Sequence, residues 1–304
     1  MTTTTNRESA INFYRSLIEE FSARAPEVNS WINQLPPYLC KTGISEPKNL
    51  SNIKNVSQAY TGNPNCKFQY ITTDYGVISL CDGNFLDKLF ESLPLSGYIV
   101  KKPSQEFFNY LEKAFELLKK IDEGFLAFIH SFTSLIVLLE KDPNHTNYKP
   151  LTSVSLPIFP FCTFMTETAL LHIAPDIIFP NNSFYALLEN LYHESAHQEL
   201  SFKLLAEDVF IENFDPSTAP KVNIPWRKTQ WEIDRVFHAA YVYWRLIPLR
   251  KSNKLKNLFS EMELSLIRIA AERGESNFRY LTTKLHEVSN YFTDHGKAFL
   301  NQLC

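Results

Sequence analysis

A chain of 304 residues that is 44% hydrophobic and 21% charged has the composition of an ordinary globular protein, with enough apolar material for one large unit or two fused lobes. A formal net charge of −3 excludes the basic excess of a nucleic-acid platform, so no nucleic-acid partner is expected. Five scattered cysteines without a C-x-x-C pair exclude a disulfide framework. With no apolar run of about 18 residues and no signal-like N-terminus, a cytoplasmic chain with no membrane partner is expected.

The first predicted element is a helix from Arg7 to Ala23, introduced by Thr5 and Glu8 at capping-box spacing. Residues 35 to 65, rich in Pro, Asn, Ser, Thr and Gly, read as irregular connection. Alternating residues from Cys66 to Cys81 around Asp74-Tyr75-Gly76 predict a hairpin. Ser104 to Glu140 reads as two helices broken near Gly124, the second running from Phe125 to Leu139 and apolar nearly all round. His130 within it reads as a hydrogen-bonded packing residue, and His145 in the next loop as surface.

Val154 to Phe164 and Ala169 to Ile173 are β-prone and punctuated by proline. Strands in that position can wall a cleft and pair with an extended peptide. His172 could face the site, but on a half-buried strand the structural reading is favoured. Then comes the stretch on which the reading turns, a helix over Ser183 to Leu205 with Asn182 or Ser183 as its N-cap. It carries His193, Glu194 and His197 as H-E-x-x-H, which sets two imidazoles one turn apart on one face, in reach of a single metal ion. The continuation that would give a third histidine just downstream is absent.

Pro225-Trp226-Arg227 leads into an apolar helix from about Trp231 to Leu246, with His238 in its middle and Arg245 two turns later on the same face. An arginine there is suited to gripping a carboxylate by two parallel hydrogen bonds. The basic run from Arg250 to Lys256 reads as a solvated helix end and loop. Two closing helices follow: one opened by Ser260 and Glu263 and stopped at Arg273-Gly274, the next striped by Phe278, Leu281, Leu285, Val288 and Phe292. His286 and His295 read as surface or capping residues. The expected fold is mainly α with small β regions (α+β). It divides into an N-terminal helical lobe with a hairpin, 1–150, and a metal-binding lobe, 151–304; alternatively, the strands join one small sheet lining the cleft.

The segments Leu191-Tyr192-His193-Glu194-Ser195-Ala196-His197-Gln198-Glu199-Leu200, Pro225-Trp226-Arg227, and Phe237-His238-Ala239-Ala240-Tyr241-Val242 with Arg245 together carry a resemblance. Over roughly 150 to 250 the chain resembles the HExxH-type, 2-oxoglutarate-dependent peptide β-hydroxylases associated with ribosomally made, modified peptides. The resemblance implies Fe(II) held by His193, His197 and His238, with 2-oxoglutarate and O2 completing the coordination. The implied substrate is a precursor peptide, hydroxylated at a β-carbon, with Glu194 orienting a ligand or water rather than acting as a base. Trp231 stands where the family has a second arginine and Ala239 where it has glycine. Arg227, Arg235 and Arg245 are then the arginines left to meet the co-substrate's carboxylate.

Two other readings use the same motif. In a zinc metallopeptidase His193 and His197 bind Zn(II), Glu194 activates water, and His238, Glu207, Glu212 or Glu232 completes the set. A non-catalytic metal-bearing protein that binds a peptide is the other. The Pro-Trp-Arg segment and the pairing of His238 with Arg245 favour the oxygenase, because a peptidase has no need of an arginine beside its metal.

Overall fold

The computed structural model describes residues 68–74, 76–81, 95–133, 135–145, 150–156, 161–206 and 209–303. The helix expected at 7–23 and the connection expected at 35–65 lie outside them. Among the described residues the chain is mainly helical with small sheets, an α+β arrangement as expected.

The hairpin forms where its turn chemistry places it: β1 (Phe68–Thr73) and β2 (Gly76–Cys81) pair antiparallel, with Thr73 opposite Gly76. After β3 (Tyr98–Val100) come α1 (Gln105–Ile121) and α2 (Glu123–Phe132). Ser104 caps α1 by accepting the Phe107 N–H at 3.1 Å. Asp122 ends α1 and opens α2, its carboxylate accepting the Gly124 N–H at 2.7 Å, so the helix break falls where expected.

The second helix does not reach Leu139. Residues Leu135–Lys141 form β4, the central strand, with Leu135 to Leu139 all at most 1% exposed. A run apolar at every position is common to a helix buried all round and a strand buried on both faces. β-Branched Ile136 and Val137 favour the strand, and β4 has parallel neighbours on both sides. With β5 (Ser153–Ser155) and β6 (Cys162–Thr166) the order is β1-β2-β4-β6-β5, and β3 pairs with the second half of β4. Strands from either side of residue 150 thus share one sheet, with β5 at its edge. Where a strand was expected from Ala169, a 3-10 turn spans Glu167–Leu170; only β7 (His172–Ile173) is extended, paired with β8 (Ile177–Ile178).

The H-E-x-x-H motif lies on α3 (Phe184–Ala206), capped by Ser183, whose hydroxyl oxygen accepts the Tyr185 N–H at 3.2 Å. Tyr185, Leu187, Leu188, Leu191, Ala196 and Leu200 are fully buried, so α3 is the central helix of the fold, packed on α1, α2 and β5. The hairpin β9 (Val222–Ile224) and β10 (Thr229–Trp231) turns through Pro225–Arg227 and a left-handed Lys228 at φ 51°.

The next helix, α4 (Ile233–Arg250), runs past the expected end and through Pro248. Arg250 is not in a solvated terminus: it is 3% exposed. Its guanidinium donates to Glu189 of α3 at 3.0 and 2.6 Å, to the Ala270 carbonyl at 2.8 Å and to the Ala174 carbonyl at 2.5 Å. That buried partner, 61 residues away, is what draws the helix end inward. The two expected closing helices are one, α5 (Glu261–Glu287), opened by the Ser260/Glu263 capping box. Gly274 lies inside it rather than ending it, because a Cβ there would stand 2.7 Å from Arg250 Nη1. The last element is α6 (Asp294–Leu303). Among the described residues no helix is long and apolar enough to cross a membrane.

Candidate metal centre

Two helices bring three histidines into a row. On α3 the one-turn spacing sets His193 Nε2 3.2 Å from His197 Nε2, the separation expected of two donors sharing one ion at about 2.0–2.1 Å each. From α4, His238 lays its ring against His197 at a centroid distance of 5.7 Å, with the two Nδ1 atoms 3.5 Å apart. His197 therefore faces its neighbours with different nitrogens. Among the described residues no three His, Cys, Asp or Glu side chains surround one point as they stand, so an ion shared by all three histidines requires one ring to turn.

The surroundings suit a donor set. From Leu191 to Leu200 every residue is buried except His193 and His197, which are half-buried, so the part of this helix that solvent reaches is its two imidazoles. Burial holds the His193 ring well below its ordinary pKa, His197 at about 4 and His238 at about 3. Charge on His197 would press His193 and His238 down further, while Asp234 lifts His238. All three rings are then neutral near pH 7, the form that ligates a metal.

Glu194 points to the sheet. It is 3% exposed, and its two oxygens accept the Ser153 hydroxyl at 2.7 Å and the Ser155 hydroxyl at 2.9 Å. Burial pushes this carboxyl up to about 7, against the downward pull of the two serines. Asn190, one turn before Glu194, donates to the Ala169 carbonyl at 3.1 Å and the His172 carbonyl at 2.7 Å. Neither serine was singled out by the sequence; the signal available was the Ser-x-Ser alternation in a β-prone segment, which puts both hydroxyls on one face.

The three candidate arginines have separate settings. Arg245 closes on Glu199: Nε donates to Oε2 at 2.8 Å, Nη2 to Oε1, and the Tyr241 hydroxyl donates to the same carboxylate. Its guanidinium lies over Phe128 at 4.7 Å and Trp244 at 5.0 Å. Arg235 is exposed and stacks on Trp231 at 4.5 Å. Arg227 is exposed, donates to Asp176 at 3.1 Å and to the Pro175 carbonyl at 3.1 Å, and lines a cavity of about 650 Å³. Thr152, His172 and Ile178 line it too.

His172, read as structural, is half-buried with Nδ1 3.3 Å from the Thr152 hydroxyl and lines the same cavity as Arg227. His130 is the packing residue expected, its Nε2 2.7 Å from the Thr73 hydroxyl. His145, His286 and His295 are exposed. Of the carboxylates considered as a third ligand, Glu232 pairs with Lys221 at 2.9 Å, Glu212 is exposed, and Glu207 lies outside the described residues. No known family model matches this chain, and no curated protein sequence matches it either.

Proposed function

We propose that the protein is an Fe(II)/2-oxoglutarate-dependent oxygenase that hydroxylates a β-carbon of a residue in a ribosomally made precursor peptide. The observation that carries this reading is the row of three neutral, half-open imidazoles from two helices. His193, His197 and His238 would hold the ion. Once bound it supplies, with 2-oxoglutarate and O2, the oxidising power that puts one oxygen atom into a substrate C–H bond while the 2-oxoacid leaves as succinate and CO2.

The chain's own part is holding and orienting. α3 and α4 keep the ligands in register, and Glu194, with both oxygens on serine hydroxyls, fixes the ligand helix to β5 instead of reaching for a water. Arg227 receives the co-substrate's carboxylate. Its pair with Asp176 is exposed on both sides and worth at most about 1 kcal/mol, so an incoming carboxylate can displace it. Displacing Glu199 from Arg245 would leave a buried carboxylate uncompensated, at a cost of roughly 3–5 kcal/mol. Residues 151–304 carry every ligand in this reading, and the part up to 150 backs them with α1, α2 and β4.

One observation favours the zinc peptidase: Glu194, held at about 7, lies in the range of a general base. Against it, both carboxylate oxygens already accept hydroxyl protons. Turnover separates the two. With Fe(II), 2-oxoglutarate and O2 the protein is expected to release succinate even without peptide, and His193→Ala and His238→Ala to release none. Zinc-dependent cleavage of added peptides that Glu194→Gln abolishes, with no succinate formed, would replace the oxygenase reading by the peptidase.

A further inference from the structure

The edge strand β5 presents its backbone outward at two residues. Its register against β6 sets Ser153 opposite Met165, Val154 opposite Phe164 and Ser155 opposite Thr163, and the Thr166 N–H donates to the Thr152 carbonyl at 2.9 Å. In an antiparallel ladder, residues alternate between those bonded to the partner and those whose N–H and C=O point away from it. Thr152 is of the first kind, so Val154 is too, and Ser153 and Ser155 are of the second. The β6–β4 pairing agrees: the Leu135 N–H donates to the Phe161 carbonyl, which turns residues 161, 163 and 165 toward β4 and leaves 162, 164 and 166 for β5.

Among the described residues β5 pairs only with β6. Of the outward groups, the Ser155 N–H is drawn to the Glu194 carboxylate, and among the described residues the Ser153 N–H, the Ser153 carbonyl and the Ser155 carbonyl have no backbone partner. The same two serines send their hydroxyls to Glu194, between His193 and His197 in sequence. The open backbone and the histidine row are thus joined through one side chain. At the Thr152 end of the strand lies the cavity of about 650 Å³, whose walls include Leu151, Leu171 and Ile178, the last 68% exposed.

We propose that the outer edge of β5 takes an extended segment of the peptide substrate as an added strand, bonded to the backbone of Ser153 and Ser155, with a flanking apolar side chain in the cavity beyond Thr152. The occupant follows from the groups to be matched. Acceptors and a donor that recur every second residue, about 6.5–7 Å apart, are met in register by an extended main chain and not by a helix. The inference deepens the peptide-substrate reading above and rests on it.

The test uses the full chain without metal, 2-oxoacid or O2. A displayed library of random dodecapeptides is selected against the wild-type protein, and an enriched peptide is synthesised with a fluorophore and titrated by anisotropy. Ser153→Pro removes the outward N–H and the hydroxyl that holds Glu194 while leaving the β6 ladder intact, a substitution that edge strands accept, and Ser153→Ala separates the two losses. Ser153→Pro should weaken binding at least ~10-fold, while Ser153→Ala, which removes only the hydroxyl, stays within about threefold. Should Ser153→Pro fail to fold, amide exchange in the wild-type protein decides: the peptide is expected to slow exchange at Ser153 and leave Val154, whose N–H faces β6, unchanged. No enriched peptide, equal binding by Ser153→Pro, or an unprotected Ser153 amide would each overturn the proposal. Failure of the oxygenase chemistry would leave peptide binding intact, and loss of peptide binding would leave the response to Fe(II) and 2-oxoglutarate intact, so the two failures are distinguishable.

Discussion

Arg245 closes its guanidinium on Glu199, two residues beyond the second histidine of the motif, and the Tyr241 hydroxyl completes the cluster. The seven-residue step from His238 puts Arg245 on the face of α4 that meets α3, so the fork suited to a ligand's carboxylate is filled by one from the protein. Arg245→Ala is therefore expected to act on folding, lowering stability in urea by about 3–5 kcal/mol, because the Glu199 charge is left buried with only the neutral Tyr241 hydroxyl beside it. The double variant Glu199→Leu/Arg245→Met should lose much less. A loss below about 1 kcal/mol for the single variant would show a screened pair and return Arg245 to the list of carboxylate grips.

His130 gives a pH dependence apart from the metal site. Burial lowers its pKa to about 4 from an ordinary 6.5, so between those values the unfolded chain binds a proton that the folded chain does not. Stability linked to this ring is complete above pH 6.5 and is lost as pH falls toward 4. In His130→Gln the slope of unfolding free energy against pH over that window should be smaller by up to one proton, about 1.4 kcal/mol per pH unit. An unchanged slope would mean that the ring is protonated within the fold.

Gly274 is a helical glycine that should not tolerate the usual improvement. Alanine in a helix interior gains about 1 kcal/mol over glycine, but here its Cβ would stand 2.7 Å from Arg250 Nη1. That guanidinium is held by Glu189 and two carbonyls and cannot swing aside. Gly274→Ala is expected to lower the urea midpoint by about 1–3 kcal/mol equivalent with m unchanged. A gain in stability would show that the Arg250 tether is loose.

The parts of the fold that follow a local rule could be read from the sequence. The hairpin, the Ser104-led helix and α3 with its cap are set by turn residues, capping and a 3.6-residue period. β4 could not be assigned, since Leu135 to Leu139 are apolar at every position and only parallel neighbours on both sides decide for a strand. Arg250 and Gly274 were misread together for one reason: each looks like a helix-end signal until Glu189 brings the guanidinium inside. At the site, His193 and His197 follow from spacing alone. That His238 stands beside His197 depends on how α4 packs on α3, which no local pattern encodes.

If the histidine row is a metal site, a bound divalent ion must stabilise the fold. At a free concentration 100 times its Kd the ion should add about 2.7 kcal/mol, read as a rise in Tm. His193→Ala and His197→Ala should abolish the rise and His238→Ala should weaken it. His172→Ala, which removes a ring lining the cavity, should keep it. A rise that survives in His193→Ala/His197→Ala would place the ion elsewhere.

The most direct test of the oxygenase reading is an anaerobic titration of the metal-free protein with Fe(II) and then 2-oxoglutarate, followed by visible absorption. A charge-transfer band should develop on adding 2-oxoglutarate, be lost in His238→Ala, and require substantially more 2-oxoglutarate in Arg227→Ala. No band in a folded protein that nonetheless binds Zn(II) tightly would contradict the account and leave the HExxH helix to a peptidase or to a binding protein.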